Sequence, residues 1–311
     1  MIISASRRTD IPAFYADWFC NRVREGFLYV RNPMNAHQIS RVSLDPEVVD
    51  CIVFWTNNPA PLTRRLGELA AYTYYFQVTL TGYGRDVEPR VPDKRATLIP
   101  ALLELSRAIG PERVIWRYDP ILFNDTYTPS YHLRAFRTIA EALDGATERC
   151  VISFVDTYAK NRANMGRLRA RELPEGELVA FAAELAGIAR EHGMTVGSCA
   201  EKIDLASCGI EHNSCIDRAL IERLVGAPLK VGKDKAQRAE CGCCASVEVG
   251  TYNTCRHGCV YCYANYSPEA VERACAAYDP ASPLLCGRVG PDDVITERKM
   301  VSLVQRQGTL W

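Results

Sequence analysis

Three cysteines in the stretch TCRHGCVYCYAN, residues 254–265, have the type and spacing of metal ligands. Cys255, Cys259 and Cys262 follow the pattern C-x3-C-x2-C, and three thiolates on one tight loop can hold three irons of a 4Fe–4S cluster. The fourth iron then has no protein ligand, and an open position is typical of a catalytic metal site. Zinc sites more usually have paired C-x2-C motifs and four ligands. The spacing therefore favours an iron–sulfur cluster, with zinc or unligated thiols as the alternatives.

Polar and charged residues follow the apolar, strand-like segments of the chain. They are Arg7, Arg8, Asp10, Asn57, Arg117, Asp119, Asp156 and Glu201. In parallel α/β folds, the side chains at the carboxyl ends of neighbouring strands converge on one ligand site. Asp and Asn in such positions also cap helices and form turns, and for a single residue either role is reasonable. For the set we expect a pocket of catalytic groups, with Asn57 in contact with a cofactor.

The elements that position these residues alternate between short apolar segments and amphipathic ones. Strands are predicted at 2–6, 51–55, 74–80, 114–118, 151–155 and 194–198. Helices are predicted at 62–72, 95–110, 131–145 and 177–193. This alternation indicates an α/β fold with a parallel sheet covered by helices, here a parallel βα barrel of the TIM type, partial or complete. Residues 27–45 interrupt the alternation and are predicted to form an irregular insertion or a hairpin.

The composition indicates a globular protein in a reducing compartment. The 311 residues are 48% hydrophobic, and 37 Lys and Arg balance 37 Asp and Glu, so no overall charge attracts nucleic acid or an acidic membrane. No signal sequence or membrane-spanning run is predicted, and we expect a cytoplasmic protein without a membrane partner. Thiols stay reduced there, so the fourteen cysteines are better candidates for metal ligands than for disulfides.

The cysteine motif, with Tyr261 directly before its last cysteine, resembles the signature of the radical S-adenosylmethionine enzymes. The resemblance implies that Cys255, Cys259 and Cys262 bind a 4Fe–4S cluster whose open iron binds S-adenosylmethionine. It also implies that Tyr261 contacts this cofactor and that flavodoxin or ferredoxin donates the electron. The cofactor then yields a 5′-deoxyadenosyl radical, which abstracts hydrogen from a substrate. A Gly-Gly-Glu stretch of the kind that holds the methionine amine in that superfamily is absent.

Nearly the whole chain resembles a bacterial family of unknown function that carries such a motif at its C-terminal end. The resemblance is carried by SASRRTDIPAFY (4–15), RNPMN (31–35), FWTNNP (54–59), WRYDPI (116–121), ISFVDTY (152–158) and CGC…TCRHGCVYCYAN (241–265). In radical S-adenosylmethionine enzymes the motif follows the first barrel strand, whereas here it follows six predicted strands.

A circular permutation reconciles the two orders. Residues 246–252 are then the strand before the motif, and residues 267–278 the helix after it, capped by Ser267 with Pro268 in its first turn. Residues 1–240 form the barrel core, and residues 241–311 complete the same barrel.

A second group of cysteines precedes the motif. Four thiolates would ligate every iron of an auxiliary 4Fe–4S cluster, and they would equally bind one zinc ion. The family resemblance favours one set of four over the substitutes Cys208 and Cys244, namely Cys199, Cys215, Cys241 and Cys243.

The sequence thus predicts an iron–sulfur enzyme that applies radical S-adenosylmethionine chemistry to a small or nucleotide-like substrate. The alternatives are an iron–sulfur electron carrier without S-adenosylmethionine cleavage and a zinc-stabilised binding protein. The last five residues, QGTLW (307–311), resemble peptides that dock on bacterial sliding clamps, which would indicate a substrate related to nucleic acid. An apolar tail packed on its own barrel is the simpler explanation.

Overall fold

The computed structural model describes residues 1–156 and 161–305. The strands are β1 (Ile2–Ala5), β2 (Phe27–Arg31), β3 (Gln38–Ser43), β4 (Cys51–Thr56), β5 (Tyr74–Thr79), β6 (Val114–Ile121), β7 (Arg149–Phe154), β8 (Thr195–Cys199), β9 (Glu211–Asn213), β10 (Val247–Glu248) and β11 (Val294–Glu297). The α-helices are α1 (Ile11–Phe14), α2 (Ala16–Glu25), α3 (Ala60–Thr63), α4 (Ile99–Ile109), α5 (Pro129–Ala142), α6 (Arg162–Arg167), α7 (Glu175–Glu191), α8 (Arg218–Val225) and α9 (Pro268–Ala276).

Eight strands form one parallel sheet in the order β10-β1-β4-β5-β6-β7-β8-β9. The parallel α/β fold is therefore confirmed, and all six predicted strands belong to this sheet. Strand β10 comes late in the sequence but pairs with β1, with Ile3 opposite Val247. This is the pairing that the permuted arrangement predicts.

The two edges of the sheet, β9 and β10, are not paired with each other as strands within the described residues. The segments beside them are joined by a backbone hydrogen bond of 3.1 Å, from Cys244 N–H to the carbonyl oxygen of Ile216. A closed TIM barrel consequently stays a prediction.

The central strands are apolar on both faces because both faces of the sheet are covered. On one face Phe54 packs edge-on against Phe19 of α2, and Trp116 stacks on Phe136 of α5. Alternate residues point to the other face, where they pack with Leu220 of α8 and the cysteine-rich segment; they are Ile2, Val53, Tyr75, Ile115 and Val151.

The helix predicted at 62–72 is wrong over most of its length. Only Ala60–Thr63 is α-helical, and Leu66–Leu69 forms a 3-10 turn. Gly67 lies in the middle of the segment, where a glycine disfavours a helix by about 1 kcal/mol, and the only buried residues are Leu62, Thr63, Leu69 and Tyr72. Few side chains of this segment are therefore buried, and their packing does not offset the cost of a helix.

The other predicted elements agree with the structure more closely. Residues 27–45 form a hairpin of β2 and β3, to which β11 adds in parallel to β3. Ser267 caps α9 by accepting a hydrogen bond from Ala270 N–H at 3.2 Å. The strand predicted at 246–252 is shorter in the structure, where it covers only Val247–Glu248. Beyond it, the backbone of Gly250 lies so close to Ser6 that a Cβ there would overlap the Ser6 side chain.

Two further expectations from the sequence concern the C-terminal tail and membrane-spanning helices. The sliding-clamp-like tail at 307–311 lies outside the described residues. In the described part of the chain, every helix is too short or too polar to cross a bilayer.

Candidate functional site

The loop that carries the three-cysteine motif is attached to the carboxyl ends of β1 and β4 through Asp10. One carboxylate oxygen caps α1 by accepting from Ala13 N–H at 2.9 Å. The other accepts from Asn57 N–H at 2.8 Å and lies 2.8 Å from His257 Nε2. Asp10 and His257 are both buried. Asp10 is therefore a helix cap, and it also holds the thiol loop in place.

Glu88, in the segment after β5, attaches the same loop at a second point. Its Oε1 accepts from the Tyr261 hydroxyl at 2.6 Å and from Thr81 Oγ1 at 2.8 Å, and its Oε2 pairs with Lys94 Nζ at 2.6 Å. Burial raises the pKa of the Tyr261 hydroxyl well above its usual value, and the neighbouring Cys259 and Glu88 raise it further. Tyr261 therefore remains a neutral hydrogen-bond donor.

The three thiols of the motif lie close enough together to influence one another. Burial raises the pKa of Cys255 and of Cys259, and the charge of Asp10 adds to this at Cys255, as that of Glu88 does at Cys259. Cys262 raises both values further. Metal binding needs thiolates, so a bound cation would have to reverse these shifts.

Buried polar atoms without a hydrogen-bond partner are concentrated around this loop. Six such side-chain atoms occur within the described residues, and four of them are Thr9 Oγ1, Arg256 Nε, His257 Nδ1 and Asn265 Oδ1. Each buried, unpaired polar group costs about 1–3 kcal/mol. Hydrogen-bond donors around the sulfurs tune an iron–sulfur cluster, so the unpaired donors of Thr9 and Arg256 fit such a group bound at the loop.

No three His, Cys, Asp or Glu side chains in residues 1–156 and 161–305 are arranged as ligands of a single metal ion. In a 4Fe–4S cluster each thiolate binds a different iron, so its ligands need not converge on one point.

The second group of thiols is assembled at the end of β8. The Sγ atoms of Cys199 and Cys215 are 3.3 Å apart, Cys215 hydrogen-bonds Cys243, and Cys243 hydrogen-bonds Cys241. Gly242, between the last two, leaves room for the side chain of Ser214, with which a Cβ would collide. The structure thus brings together all four thiols of the expected set.

The substitutes for this group are directed elsewhere. The thiol of Cys208 donates to the Val179 carbonyl oxygen at 3.4 Å, and that of Cys244 donates to the Ile216 carbonyl oxygen at 3.3 Å.

The acidities of the four thiols differ because each has different neighbours. The hydrogen bond with Cys243 lowers the pKa of Cys241 to about 7, so about half of this thiol is ionised at neutral pH. At Cys215 the hydrogen bond with Cys199 lowers the pKa, but the one with Cys243 and burial outweigh it, and the value rises to about 11.

Arg117 connects the second thiol group to the polar residues of the sheet. Its Nη1 donates to Cys215 Sγ at 2.7 Å and to Gln77 Oε1 at 3.1 Å, while Nε donates to Asp119 Oδ1 at 3.0 Å. Burial alone would lower the pKa of Arg117, but Asp119 and the thiols of Cys215 and Cys199 raise it well above its usual value. Arg117 therefore carries a permanent charge beside these thiols.

Trp55, at the end of β4, lies near two guanidinium groups. The Arg7 and Arg117 guanidinium carbons are 5.9 and 5.2 Å from its ring centroid, within reach of cation–π attraction. Arg7 also donates to Ser246 Oγ at 3.2 Å. Arg8 is directed differently, over the Tyr252 ring at 4.8 Å.

The remaining expected residues lie after β7 and β8. Glu201 accepts from Phe154 N–H at 2.8 Å, and burial raises the pKa of its carboxyl to about 7. Asp156 is exposed and pairs with Arg238. The structure therefore places Glu201 in a partly buried position and Asp156 at the surface.

Sequence reasoning missed Glu88 and Trp55 and did not resolve the part played by His257. Glu88 lies well beyond the end of β5, so no strand-end pattern points to it. Trp55 could have been found, because it is two residues after the inward-facing Val53 and must share its face of the sheet.

Comparison with known proteins identifies the family. A family model described as a domain of unknown function, DUF1848, matches residues 2–264. The chain belongs to the DUF1848 family. The family resemblance carried by the quoted stretches is thus confirmed at the level of a DUF1848 domain, which spans β1 through the thiol loop. No curated protein matches the chain.

Two solved structures show only a weak likeness to this DUF1848 protein. A protein assigned as an α-L-fucosidase from Bacteroides thetaiotaomicron is 12% identical over 58% of this chain and 74% of its own, with a TM-score of 0.27. Pyruvate carboxylase from Rhizobium etli is 13% identical over 73% of this chain and 27% of its own, with a TM-score of 0.21. At these scores neither defines the fold or the chemistry.

Proposed function

We propose that this protein is an iron–sulfur enzyme that cleaves S-adenosylmethionine at the loop of Cys255, Cys259 and Cys262. One observation carries the proposal. Hydrogen bonds from His257 to Asp10 and from Tyr261 to Glu88 hold a loop with three neighbouring thiols against the carboxyl ends of the parallel strands. Ligand sites of parallel α/β folds are found at this end of the sheet.

The residues around the thiols fit a cluster that has one open iron. Cys255, Cys259 and Cys262 would hold it, and the unpaired donors of Thr9 and Arg256 lie in the same loop region. When bound and reduced, such a cluster would supply the electron that cleaves S-adenosylmethionine, and the cleaved cofactor would be the oxidant of the substrate.

The protein's own residues would orient the ligands and exclude water. Asp10 and His257 fix the loop, and Tyr261, held by Glu88, closes one side of it. The guanidinium groups of Arg7 and Arg117 near Trp55 favour a substrate with an anionic group and a planar part, such as a nucleotide. Glu201, whose pKa is raised to about 7 by burial, is the carboxyl group that we assign to proton transfer.

The proposal also includes the type of barrel, the role of the second thiol group and the electron donor. The fold would be a permuted βα barrel of the TIM type, supported by the β10–β1 pairing. The thiols of Cys199, Cys215, Cys241 and Cys243 would hold an auxiliary 4Fe–4S cluster, supported by their mutual hydrogen bonds. Flavodoxin or ferredoxin in the cytoplasm would donate the electron.

The deciding experiment is incubation of the reduced, anaerobically purified protein with S-adenosylmethionine, followed by a search for 5′-deoxyadenosine. Cys259→Ala should abolish the product while leaving the circular dichroism spectrum unchanged. Cys208→Ala is the matched control, because its thiol is bonded to Val179 and takes no part in either group. Product formation by Cys259→Ala would refute the ligand assignment.

The same preparation separates the alternatives. Stoichiometric zinc in a colourless protein would indicate a zinc-stabilised binding protein. Iron and sulfide without 5′-deoxyadenosine would indicate an electron carrier.

A further inference from the structure

A cavity of about 500 Å³ lies outside the thiol loop, between the segment that follows β5 and helix α5. Its walls are formed by residues 81–85 and 91–95, by Ile99 of α4 and by the face of α5 that runs from Tyr131 to Ile139. Small-molecule sites commonly occupy about 300–1,000 Å³. None of the motif cysteines lines this cavity, although Thr81, Glu88 and Lys94, which help to hold the thiol loop, contribute to its wall.

The cavity carries an excess of positive charge. Its lining contains four basic residues, Arg85, Lys94, Arg95 and Arg134, against two acidic ones, Glu88 and Asp93. Lys94 is neutralised by Glu88. No ion pair involves Arg85, Arg95 or Arg134 among the described residues, whereas Arg137, one turn along α5 from Arg134, pairs with Glu191. With four basic and two acidic side chains, this concave surface has a net charge of +2, which attracts anions.

The rest of the lining is apolar or aromatic and closely packed. Ile99 of α4 and Ile139 of α5 contribute aliphatic surface. The Tyr131 hydroxyl donates to the Gly82 carbonyl oxygen at 2.6 Å, and a Cβ at Gly82 would lie 2.7 Å from the Ala135 Cβ. The turn at Gly82 is therefore held against α5, and this contact defines one wall.

We infer that this cavity binds a small organic anion, with its phosphate or carboxylate group on the arginines and an apolar body against Ile99 and Ile139. Guanidinium groups bind both kinds of anion through paired N–H donors. The inference does not depend on the proposed function.

The position of Lys94 places this site next to the thiol loop. Lys94 Nζ is 2.6 Å from Glu88 Oε2, and the other oxygen of Glu88 accepts from Tyr261 at 2.6 Å. One buried carboxylate, Glu88, therefore joins a residue of the cavity wall, Lys94, to the motif residue Tyr261.

The test is calorimetric titration of the full chain and of Cys259→Ala with adenosine 5′-monophosphate, citrate and adenosine. We expect adenosine 5′-monophosphate or citrate to bind, and uncharged adenosine to bind at least about tenfold more weakly. Preference for the phosphate or for the carboxylate probe identifies the anion. Equal binding to Cys259→Ala separates this site from S-adenosylmethionine chemistry, so the two proposals fail independently.

Two variants locate the site. Arg134→Gln should weaken binding of the anionic probe by about tenfold. Arg137→Gln, on the same helix but outside the cavity, should leave it unchanged. Hydrogen exchange should show protection of residues 81–95 by the probe. Absence of binding by both anions at millimolar concentration, equal losses in the two variants, or protection elsewhere would each overturn the inference.

Discussion

Asp10 shows how a single residue can serve local structure and the site at once. Its carboxylate caps α1, binds Asn57 N–H and holds His257, although His257 is 247 residues away in sequence. A carboxylate suits this position because it accepts several hydrogen bonds at once, whereas a neutral amide has only one acceptor oxygen.

The Asp10→Asn variant should therefore loosen the thiol loop. An amide can keep the bond to Ala13 N–H, but its NH₂ group cannot accept from Asn57 or His257. We expect a loss of about 1–3 kcal/mol in the free energy of unfolding and faster alkylation of Cys255 in the metal-free protein. Asp45→Asn, which changes an exposed turn that accepts from Glu47 N–H, is the control. Unchanged alkylation kinetics in Asp10→Asn would contradict the anchoring role.

Arg117 and Arg137 allow a second comparison at this scale. Arg117 and Asp119 are largely buried, so removal of the guanidinium leaves a carboxylate and Gln77 without their partner. Loss of one member of a buried pair costs about 3–5 kcal/mol, whereas an exposed pair contributes little because solvent screens it. Urea unfolding should thus show a large loss of stability for Arg117→Gln and a small one for Arg137→Gln. If the two variants lost similar amounts of unfolding free energy, Arg117 would not be as buried in solution as it is in the structure.

At the scale of elements, the two-residue alternation of the strands decides which side chains approach the site. Val53 and Tyr75 point to the inner face of the sheet, and Trp55 and Gln77 follow on the same face nearer the carboxyl ends. The inner face thus changes from apolar to polar along each strand. Helix α5 covers the opposite face and buries His132 there.

His132 makes the attachment of α5 sensitive to pH. Its ring nitrogens lie 2.8 Å from the Tyr118 hydroxyl and 2.9 Å from the Leu122 carbonyl oxygen, and burial lowers its pKa from 6.5 to about 4. The unfolded chain binds the proton more tightly, so the stability contribution is complete above pH 6.5 and declines as the pH falls toward 4.

Unfolding in urea should show this dependence. Between neutral pH and about pH 5, His132 should account for a loss of about 2 kcal/mol, and His132→Gln should lack this part of the decline. A variant and a parent protein with parallel pH profiles would contradict the assignment.

At the scale of the whole molecule, the C-terminal segment from residue 241 completes the sheet and covers its inner face. Strand β10 pairs with β1, and residues Cys241, Cys243 and Cys244 pack in one cluster with Val53 and Tyr75. Without this segment the apolar inner face would be exposed to water.

A truncated chain of residues 1–240 should therefore lack a sharp, cooperative unfolding transition. Exposed apolar surface of this kind binds hydrophobic dyes, and the truncated chain should bind them while the full chain does not. Calorimetry and dye fluorescence measure both properties. A sharp thermal transition in the truncated chain would show that residues 1–240 form an independent core.

The sequence by itself determined the local elements and the chemistry they carry. Apolar runs identified the six central strands, Ser267 and Pro268 marked the start of α9, and cysteine spacing singled out the motif of Cys255, Cys259 and Cys262. These features depend only on residues that are close together in the sequence, so they can be recognised without the structure. The helix predicted at 62–72 was wrong because amphipathic spacing does not reveal how little of a segment is packed.

Only the tertiary structure decided which distant groups meet. The contact of Cys199 with Cys215, the hydrogen bond from Tyr261 to Glu88 and the pairing of β10 with β1 join parts of the chain that no local pattern relates. The order of strands in the sheet sets these contacts, and that order results from the packing of all the elements together. A residue's type can therefore be read from the sequence, whereas its partners depend on the assembled sheet.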